Sequence, residues 1–445
     1  MTRRQFASLA APAAFGQRMI PELKDVPNFC SHEHWGSIDS IGTFPGGYRA
    51  DIEQGARPKQ TTSVFDIVLE PYFRGVLTSS KVDRESSNRE RGWSKLKESI
   101  GDHTFNGIFQ CTRRGIQFLY GLDIAATGDN STSRLNEMID RNYTTPFGWY
   151  RTAMAKARFS DLVRPVHPEF YRRQESQESA KDEASFTKTV MRIDPILDLW
   201  HLPDERRRSL LEFSGVEPID SKSWRAFLTY WFEQAQRSRA VGIKQLQAYR
   251  RDLDFQGRND NDIDDWKGTA STESRRKLQD WIVNECCKNA NDLGWAHQVH
   301  VGTHNLPSST PLPLAGLARR YPRMKLVMIH CWPFLEEAGT LARQNSNIYI
   351  DTCWQPILNP QFFRTAMSQW WNYVPSNKII CGHDATTVEM AVGSSLFTRE
   401  ILSDVVQEQR RTLNIAENEL IRAAKQMLHG NAAGIYGMDR KHLPR

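Results

Sequence analysis

Lys325-Leu326-Val327-Met328-Ile329-His330 is the stretch from which the fold of this 445-residue chain can be read. Its four central residues are all apolar, and it closes on a histidine. A strand open to water on one face alternates apolar and polar residues, whereas a continuous apolar run suits a strand covered on both faces, the parallel-sheet pattern. Its neighbours repeat the theme. Upstream, Gln298-Val299-His300-Val301-Gly302 follows a helical stretch, Trp281 to Leu293, that Gly294 stops. Pro313 to Tyr321 reads as a short helix between the two. Downstream, Asn347 to Asp351 and Lys378 to Asp384 read as two more strands. Earlier in the chain, Val241 to Leu246 follows an amphipathic helix from Trp224 to Arg239, and Val190 to Leu197 reads as a third strand. Asp161 to Val166 gives a weaker second strand and Val26 to Cys30 the first. Strands that alternate with helices pair in parallel. Eight such units imply an α/β fold, a (β/α)8 TIM barrel, with its site at the C-terminal ends of the strands.

The polar residues fall at those ends. In Asn28-Phe29-Cys30-Ser31-His32-Glu33-His34-Trp35-Gly36 two histidines stand two apart, so on a strand they share a face while Glu33 turns away. Lys244 ends strand four, His300 strand five, His330 strand six and Asp384 strand eight. Singly, each has an ordinary explanation. Lys244 fits a salt bridge, His300 a hydrogen-bonded core histidine, and Asp384 a helix N-cap before Ala385-Thr386-Thr387. Jointly they read as a metal site, since imidazole is the commonest ligand for zinc and similar ions. His297, three before His300, faces the other way and reads as structural. His304 lies in the loop past Gly302, within reach of a pocket. Val299, Val301 and Gly302 argue against a helical His300/His304 pair. Arg192, Trp332 and Trp354 sit at or just beyond strand ends and are candidates for lining a substrate pocket. His103 and His167 fall outside the pattern and read as structural or surface residues.

Between the first strand and about residue 158 the pattern is helical and irregular. Val64 to Leu77 and Trp93 to Phe109 carry helical spacing, Thr112 to Asp123 follows, and Tyr143-Thr144-Thr145-Pro146-Phe147-Gly148 ends the segment. We read residues 37–158 as a mostly helical insertion that covers part of the site, within a single barrel spanning residues 18–445. Residues 1–17, with Arg3-Arg4 before a short small-residue run, read as a twin-arginine-type export signal or a disordered tail. The first places the protein in the periplasm or outside the cell, the second in the cytoplasm. Gln174 to Glu183 reads as an exposed polar loop. No apolar run reaches the roughly 18 residues of a membrane span. A formal charge of +6, with basic and acidic residues interleaved as in Asp204-Glu205-Arg206-Arg207-Arg208, is not a nucleic-acid footprint. Seven cysteines without a C-x-x-C argue against a disulfide framework; Cys30, Cys331, Cys353 and Cys381 read as small core residues. The expected partner is a small-molecule substrate, with a homo-oligomer left open.

Taken together, the H-x-H after strand one, Gln298-x-His300-x-Gly302, His330 and Gly382-x-Asp384 resemble the amidohydrolase superfamily in residue type and order. The amidohydrolase-related branch, which includes metal-dependent decarboxylases, is closer still. Gly242-Ile243-Lys244, Ala248-Tyr249-Arg250-Arg251 and the closing Met427-Leu428-His429-Gly430-Asn431-Ala432-Ala433-Gly434-Ile435-Tyr436 look like that branch too. His383 departs from it, standing where the family often has serine or another small residue.

The resemblance implies that His32, His34, His300 and Asp384 hold a divalent metal, zinc foremost, with one or two ions undecided. It makes His330 a second-metal ligand or a group that polarises the substrate. Lys244 is then a bridging carboxylated lysine or a holder of a substrate carboxylate. Catalytic roles fall to Asp384, His330 and Lys244, and substrate contacts to Arg192, His304, Trp332 and Trp354. The expected activity is hydrolysis of an amide, ester or lactone. The alternatives are a nonoxidative decarboxylase and an inactive barrel that serves as a binding module.

Overall fold

Eight short, buried strands pair in parallel and in sequence order from β1 to β8, as the apolar runs predict. The computed structural model describes residues 19–34, 61–80, 92–173 and 186–437. The readings of residues 1–17, Trp35 and Gly36, and the Gln174 to Glu183 loop lie outside those residues. The strands are β1 (Asn28–Cys30), β2 (Phe159–Val166), β3 (Thr187–Arg192), β4 (Gly242–Gln245), β5 (Ala296–Val301), β6 (Lys325–His330), β7 (Ile348–Asp351) and β8 (Ile379–Ile380). The sheet curls into an α/β barrel of the (β/α)8 type, with helices outside it. Phe29, Val163, Val190, Ala296, Val327, Ile329 and Ile380 pack together inside. Ala432, Ala433 and Ile435 from the C-terminal helix Asn431–Ile435 join them, and Tyr436 stacks on Phe29 at 5.9 Å.

Two strands end well short of the sequence reading. β3 stops at Arg192 rather than Leu197, because Pro195 lies in the first turn of a short helix, Asp194–Leu197. Proline has no N–H for a ladder, while a helix's first turn needs none there. β8 keeps only two paired residues, and Cys381 to Asp384 leave the sheet in an irregular turn.

The insertion is helical, but its breaks differ too. Val64 to Leu77 is two helices, Val64–Val68 and Pro71–Ser79, divided before Pro71 with Glu70 as the second one's N-cap. Trp93 to Phe109 is a helix Gly92–Ile100, a tight turn, and the start of a longer helix, Gly107–Tyr120. Tyr143 to Gly148 does not end the insertion: helix Asp129–Tyr143 stops there and Pro146–Ala157 follows, so β2 begins at Phe159. Proline is again the reason, being well suited to open the next helix.

Helix Gly107–Tyr120 crosses the long helix Val388–Leu413 at backbone contact. A Cβ on Gly115 would come within 1.7 Å of the Glu389 carbonyl oxygen, and one on Gly393 within 1.8 Å of that of Cys111. Beside the crossing, the buried Glu389 carboxylate accepts hydrogen bonds from Tyr120 Oη (2.8 Å), Tyr143 Oη (2.9 Å) and Trp149 Nε1 (3.2 Å). These contacts fasten the insertion to the helix that follows the last strand. All seven cysteines are free and buried, and among the described residues no helix is long and apolar enough to cross a membrane.

Gly393→Val forces the two backbones apart. We expect it to lower stability by about 3 kcal/mol, seen as a lower urea midpoint. An unchanged midpoint would mean the helices do not cross this closely.

Candidate active site

Sequence periodicity places His300 and Lys244 correctly but not His330. Ala296, Gln298 and His300 alternate on β5, and Gly242 and Lys244 on β4, so each set shares a face. On β6, Val327 and Ile329 point inside, which should send His330 outward. Its backbone is left-handed instead (φ 73°), as are Cys331 (φ 62°), Trp354 (φ 70°) and Asp384 (φ 61°). Such conformations cost about 1–3 kcal/mol each in non-glycine residues and cluster at functional sites. Here they turn His330 and Asp384 into the barrel mouth.

Three imidazoles meet the Asp384 carboxylate. His34 Nε2 lies 3.2 Å and His32 Nε2 3.7 Å from Oδ1, and His330 Nε2 lies 3.4 Å from Oδ2. Ligand atoms of His32, His34 and Asp384 fall within 4.8 Å of one another, a spacing that can hold a metal ion. The tautomers suit it. His32 Nδ1 donates to Gln298 Oε1 (2.7 Å), which leaves the Nε2 lone pair facing inward. Gln298 is itself fixed by donating Nε2 to the Ser31 carbonyl and to Tyr436 Oη, both at 2.7 Å. His330 Nδ1 donates to the Cys353 carbonyl at 2.9 Å, again freeing Nε2. Partners of this kind orient metal-binding histidines in known sites.

The charge states agree with that role. Burial pushes His32, His34 and His300 below the ordinary histidine value and His330 down to about 4, so all four imidazoles are neutral. Burial alone would lift Asp384, but His32 and His34 outweigh it and hold the carboxyl well below its usual range. Neutral imidazole and ionised carboxylate are the metal-binding forms. Cys353 belongs to a second possible ligand group with His330 and Asp384, yet burial raises its thiol far above the usual value. With no ion bound it is a neutral thiol.

His300 sits beside the group. Its ring centroid is 4.5 Å from that of His330, and its Nε2 faces Gly302 O (3.2 Å) and Thr303 Oγ1 (3.0 Å). Lys244 Nζ is 2.8 Å from His32 Nε2, and burial lowers its pKa to about 8.

These residues open into a cavity with about 930 Å³ of empty space, its mouth included. Small-molecule sites are of this size. Arg192, Trp354, His34, Lys244, His300, His330 and Asp384 line it, as expected from their strand-end positions. His304 stands at the rim, stacked on Trp354 at 5.5 Å, and Trp332 stacks on Phe362 at 3.9 Å away from the lining. Tyr72, Asp194, Arg206 and Tyr249 also line the cavity and were not singled out from sequence. Tyr72 comes from the insertion and donates to Asp384 Oδ1 at 3.0 Å. Nothing local in the sequence marks it. Its position is set by Glu70, which caps the Tyr72 helix and accepts from Thr386 Oγ1 at 2.5 Å.

Asp351, at the end of β7, had a signal that was passed over: it is another acid at a strand end. It lies deeper, accepting from Ser31 Oγ (2.5 Å), Cys353 N (3.0 Å) and Gly382 N (2.9 Å). A Cβ on Gly382 would come within 2.6 Å of Ser31 Oγ, so the glycine makes room for this bond.

Histidines and an aspartate thus converge at the mouth of an α/β barrel, as the resemblance drawn from the motifs implies. Residues 233–438, from the helix before β4 to the last helix, match the family model described as amidohydrolase. This match bears out the resemblance drawn from the motifs. A search of the curated proteins finds no match. Among solved structures, uronate isomerase of Thermotoga maritima shares the fold with a TM-score of 0.70 at 13% identity, covering 93% of this chain and 95% of that one. Glucuronate isomerase of Caulobacter crescentus gives 0.69 at 15%, covering 95% and 94%. A Lactobacillus casei protein described as a putative metal-dependent hydrolase gives 0.63 at 16%, covering 94% and 97%. At these identities the likeness is one of fold.

Burial raises the Asp351 carboxyl to about 6. The folded state therefore holds this proton more tightly than the unfolded chain, whose value is near 4. That advantage is present in acid and is lost as pH rises from about 4 to about 6. Asp351→Asn can keep the two backbone bonds through Oδ1 and reverse the third, its Nδ2 donating to Ser31 Oγ, without the charge. We expect wild type to lose up to about 3 kcal/mol relative to the variant across that window, measured by urea unfolding at each pH. Parallel pH curves would refute the assignment.

Proposed function

We propose that this chain is a metal-dependent hydrolase that opens an amide, ester or lactone of a small carbonyl substrate. The observation that carries the reading is the convergence of three inward-facing imidazole nitrogens on one ionised aspartate, at the floor of a small-molecule cavity. His32, His34 and Asp384 would hold a divalent cation, zinc foremost, with His300 and His330 beside them. Such an ion supplies Lewis acidity that brings the pKa of a water to about 7 and polarises a carbonyl. Asp384 accepts the proton of the attacking water and returns it to the leaving group. Tyr72, whose hydroxyl burial keeps protonated, donates to Asp384 and is placed to move to a developing oxyanion. Lys244 decides the metal count: left as an amine it is a cation beside His32, and carboxylated it would bridge two ions. His304 and Trp354 face the substrate from the rim, and Arg192 from the wall.

The Tyr72–Asp384 contact also favours a second reading, isomerisation of a sugar acid. A hydroxyl and a carboxylate sharing a proton can move one between adjacent carbons, and the proteins named above as sharing the fold over nearly their whole length include uronate isomerases.

Elemental analysis of the purified protein with an assay panel separates these. Esters, amides and lactones report hydrolysis, D-glucuronate reports isomerisation, and aromatic acids report carbon dioxide release by a decarboxylase. We expect His32→Ala to lose bound metal and activity together. Chelation should abolish turnover and added zinc restore it. Wild type purified in zinc-supplemented medium without stoichiometric metal would refute the metal reading and favour a binding module.

Asp384→Asn should lower kcat by about 10³-fold or more, and Tyr72→Phe by about 10- to 100-fold with KM little changed. A Tyr72→Phe enzyme of full kcat would remove the tyrosine from the mechanism.

A further inference from the structure

Away from the histidines, the cavity continues between the segments that follow β3 and β4. There Arg192, at the end of β3, is only 1% exposed yet lines the cavity. Among the described residues it makes no hydrogen bond or ion pair, and its Nε is buried without a partner. Two other buried guanidiniums each have at least one partner. Arg251 bonds Asp280 at 2.7 Å and the Asp254 carbonyl at 3.0 Å, and Arg399 donates to the Leu23 carbonyl at 2.6 Å. The nearby Asp194 attracts Arg192 without pairing with it: its Oδ1 accepts from Leu246 N at 2.8 Å and Gln247 Nε2 at 3.1 Å, and its Oδ2 is buried without a hydrogen-bond partner.

Arg206 lines the same cavity from helix Asp204–Ser214. Its guanidinium is held in place by Glu169 Oε1 (3.0 Å) and His167 Nδ1 (2.7 Å). Since arginine only donates, His167 is the neutral acceptor, and burial lowers its pKa well below the ordinary value. His167 is thus a buried structural residue behind Arg206 rather than a surface one. Two guanidiniums on one cavity repel each other, and Arg192 makes no ion pair, Asp194 attracting it only from a distance; an oxyanion bound between them would relieve both costs.

We propose that Arg192 and Arg206, the latter braced by Glu169 and His167, form an oxyanion subsite. The substrate then carries a carboxylate or a phosphate monoester away from the carbonyl that reacts. This rests on the cavity being the active site named above, and it deepens that reading by naming the substrate's charge.

The test uses the whole, metal-loaded protein and needs no turnover. Thermal unfolding is followed with glutarate, with inorganic phosphate, and with sodium chloride at matched ionic strength. We expect glutarate or phosphate, but not chloride, to raise the midpoint in a concentration-dependent way; which of the two acts at lower concentration identifies the group. Arg192→Met, of similar length and apolar, should unfold at the same or a higher temperature than unliganded wild type. It should weaken anion binding at least about tenfold. Arg206→Lys, which keeps the charge but not the fork, should weaken it by a smaller factor.

An Arg192→Met protein clearly less stable than unliganded wild type would show Arg192 to be structural and overturn the proposal. So would a wild type that neither anion stabilises beyond chloride. Metal content measured on the same samples keeps the two readings apart. Loss of the anion effect with metal intact sinks only the subsite, and an anion effect without bound metal sinks only the metal chemistry.

Discussion

The site depends on how the two ends of an eight-stranded sheet are brought together. Among the described residues β1 and β8 share no ladder, being three and two residues long. Turn hydrogen bonds join them just beyond the strands: Asp384 N to His32 O at 2.8 Å and His34 N to Ala385 O at 2.9 Å. The buried Glu33 carboxylate accepts from Ala385 N at 2.7 Å and from Cys30 Sγ at 2.9 Å. Below them Ser31 is bonded to Asp351. The same peptide groups that close the barrel carry the residues that would bind metal, so closure and site assembly are one event. Glu33, the residue between the two histidines, is the clasp.

Cost and function are linked around that seam. The mouth holds several non-glycine residues in left-handed backbone, a guanidinium with an unpartnered Nε and a desolvated lysine. Each works against folding. The surrounding shell offsets this with dense apolar packing, including the Phe29–Tyr436 stack under the site and the glycine-to-backbone crossing of the insertion with the helix after β8. The insertion is more than a cover, since its Glu70 and Tyr72 reach the loop around Asp384. Anchoring it through Glu389 to helix Val388–Leu413 therefore bears on the position of the tyrosine hydroxyl.

Much of this was legible in the sequence because the signal was periodic. Continuous apolar runs ending in histidine, lysine or aspartate gave the strands, their parallel pairing and six strand-end residues. β6 came out at its full expected bounds, since Lys325 and His330 flank an unbroken apolar core. Legibility failed where a single residue overrode the pattern. Pro195 ended β3 early, Pro71 and Pro146 reset the insertion's helices, and positive φ at His330 reversed the side its strand would give it. Tyr72 and Arg206 were missed because cavity membership there comes from elements far apart in the chain.

The amino-acid sequence by itself determined the fold class and the residue types at the barrel mouth, because strand periodicity and ligand chemistry are local properties. Only the tertiary structure decided which nitrogens face inward, through Gln298 and the Cys353 carbonyl. It alone showed that an insertion hydroxyl reaches Asp384 and that Arg192 lies buried with its Nε unpartnered. Those facts depend on distances between segments up to some three hundred residues apart. Such distances are set by packing, and no window of sequence contains them.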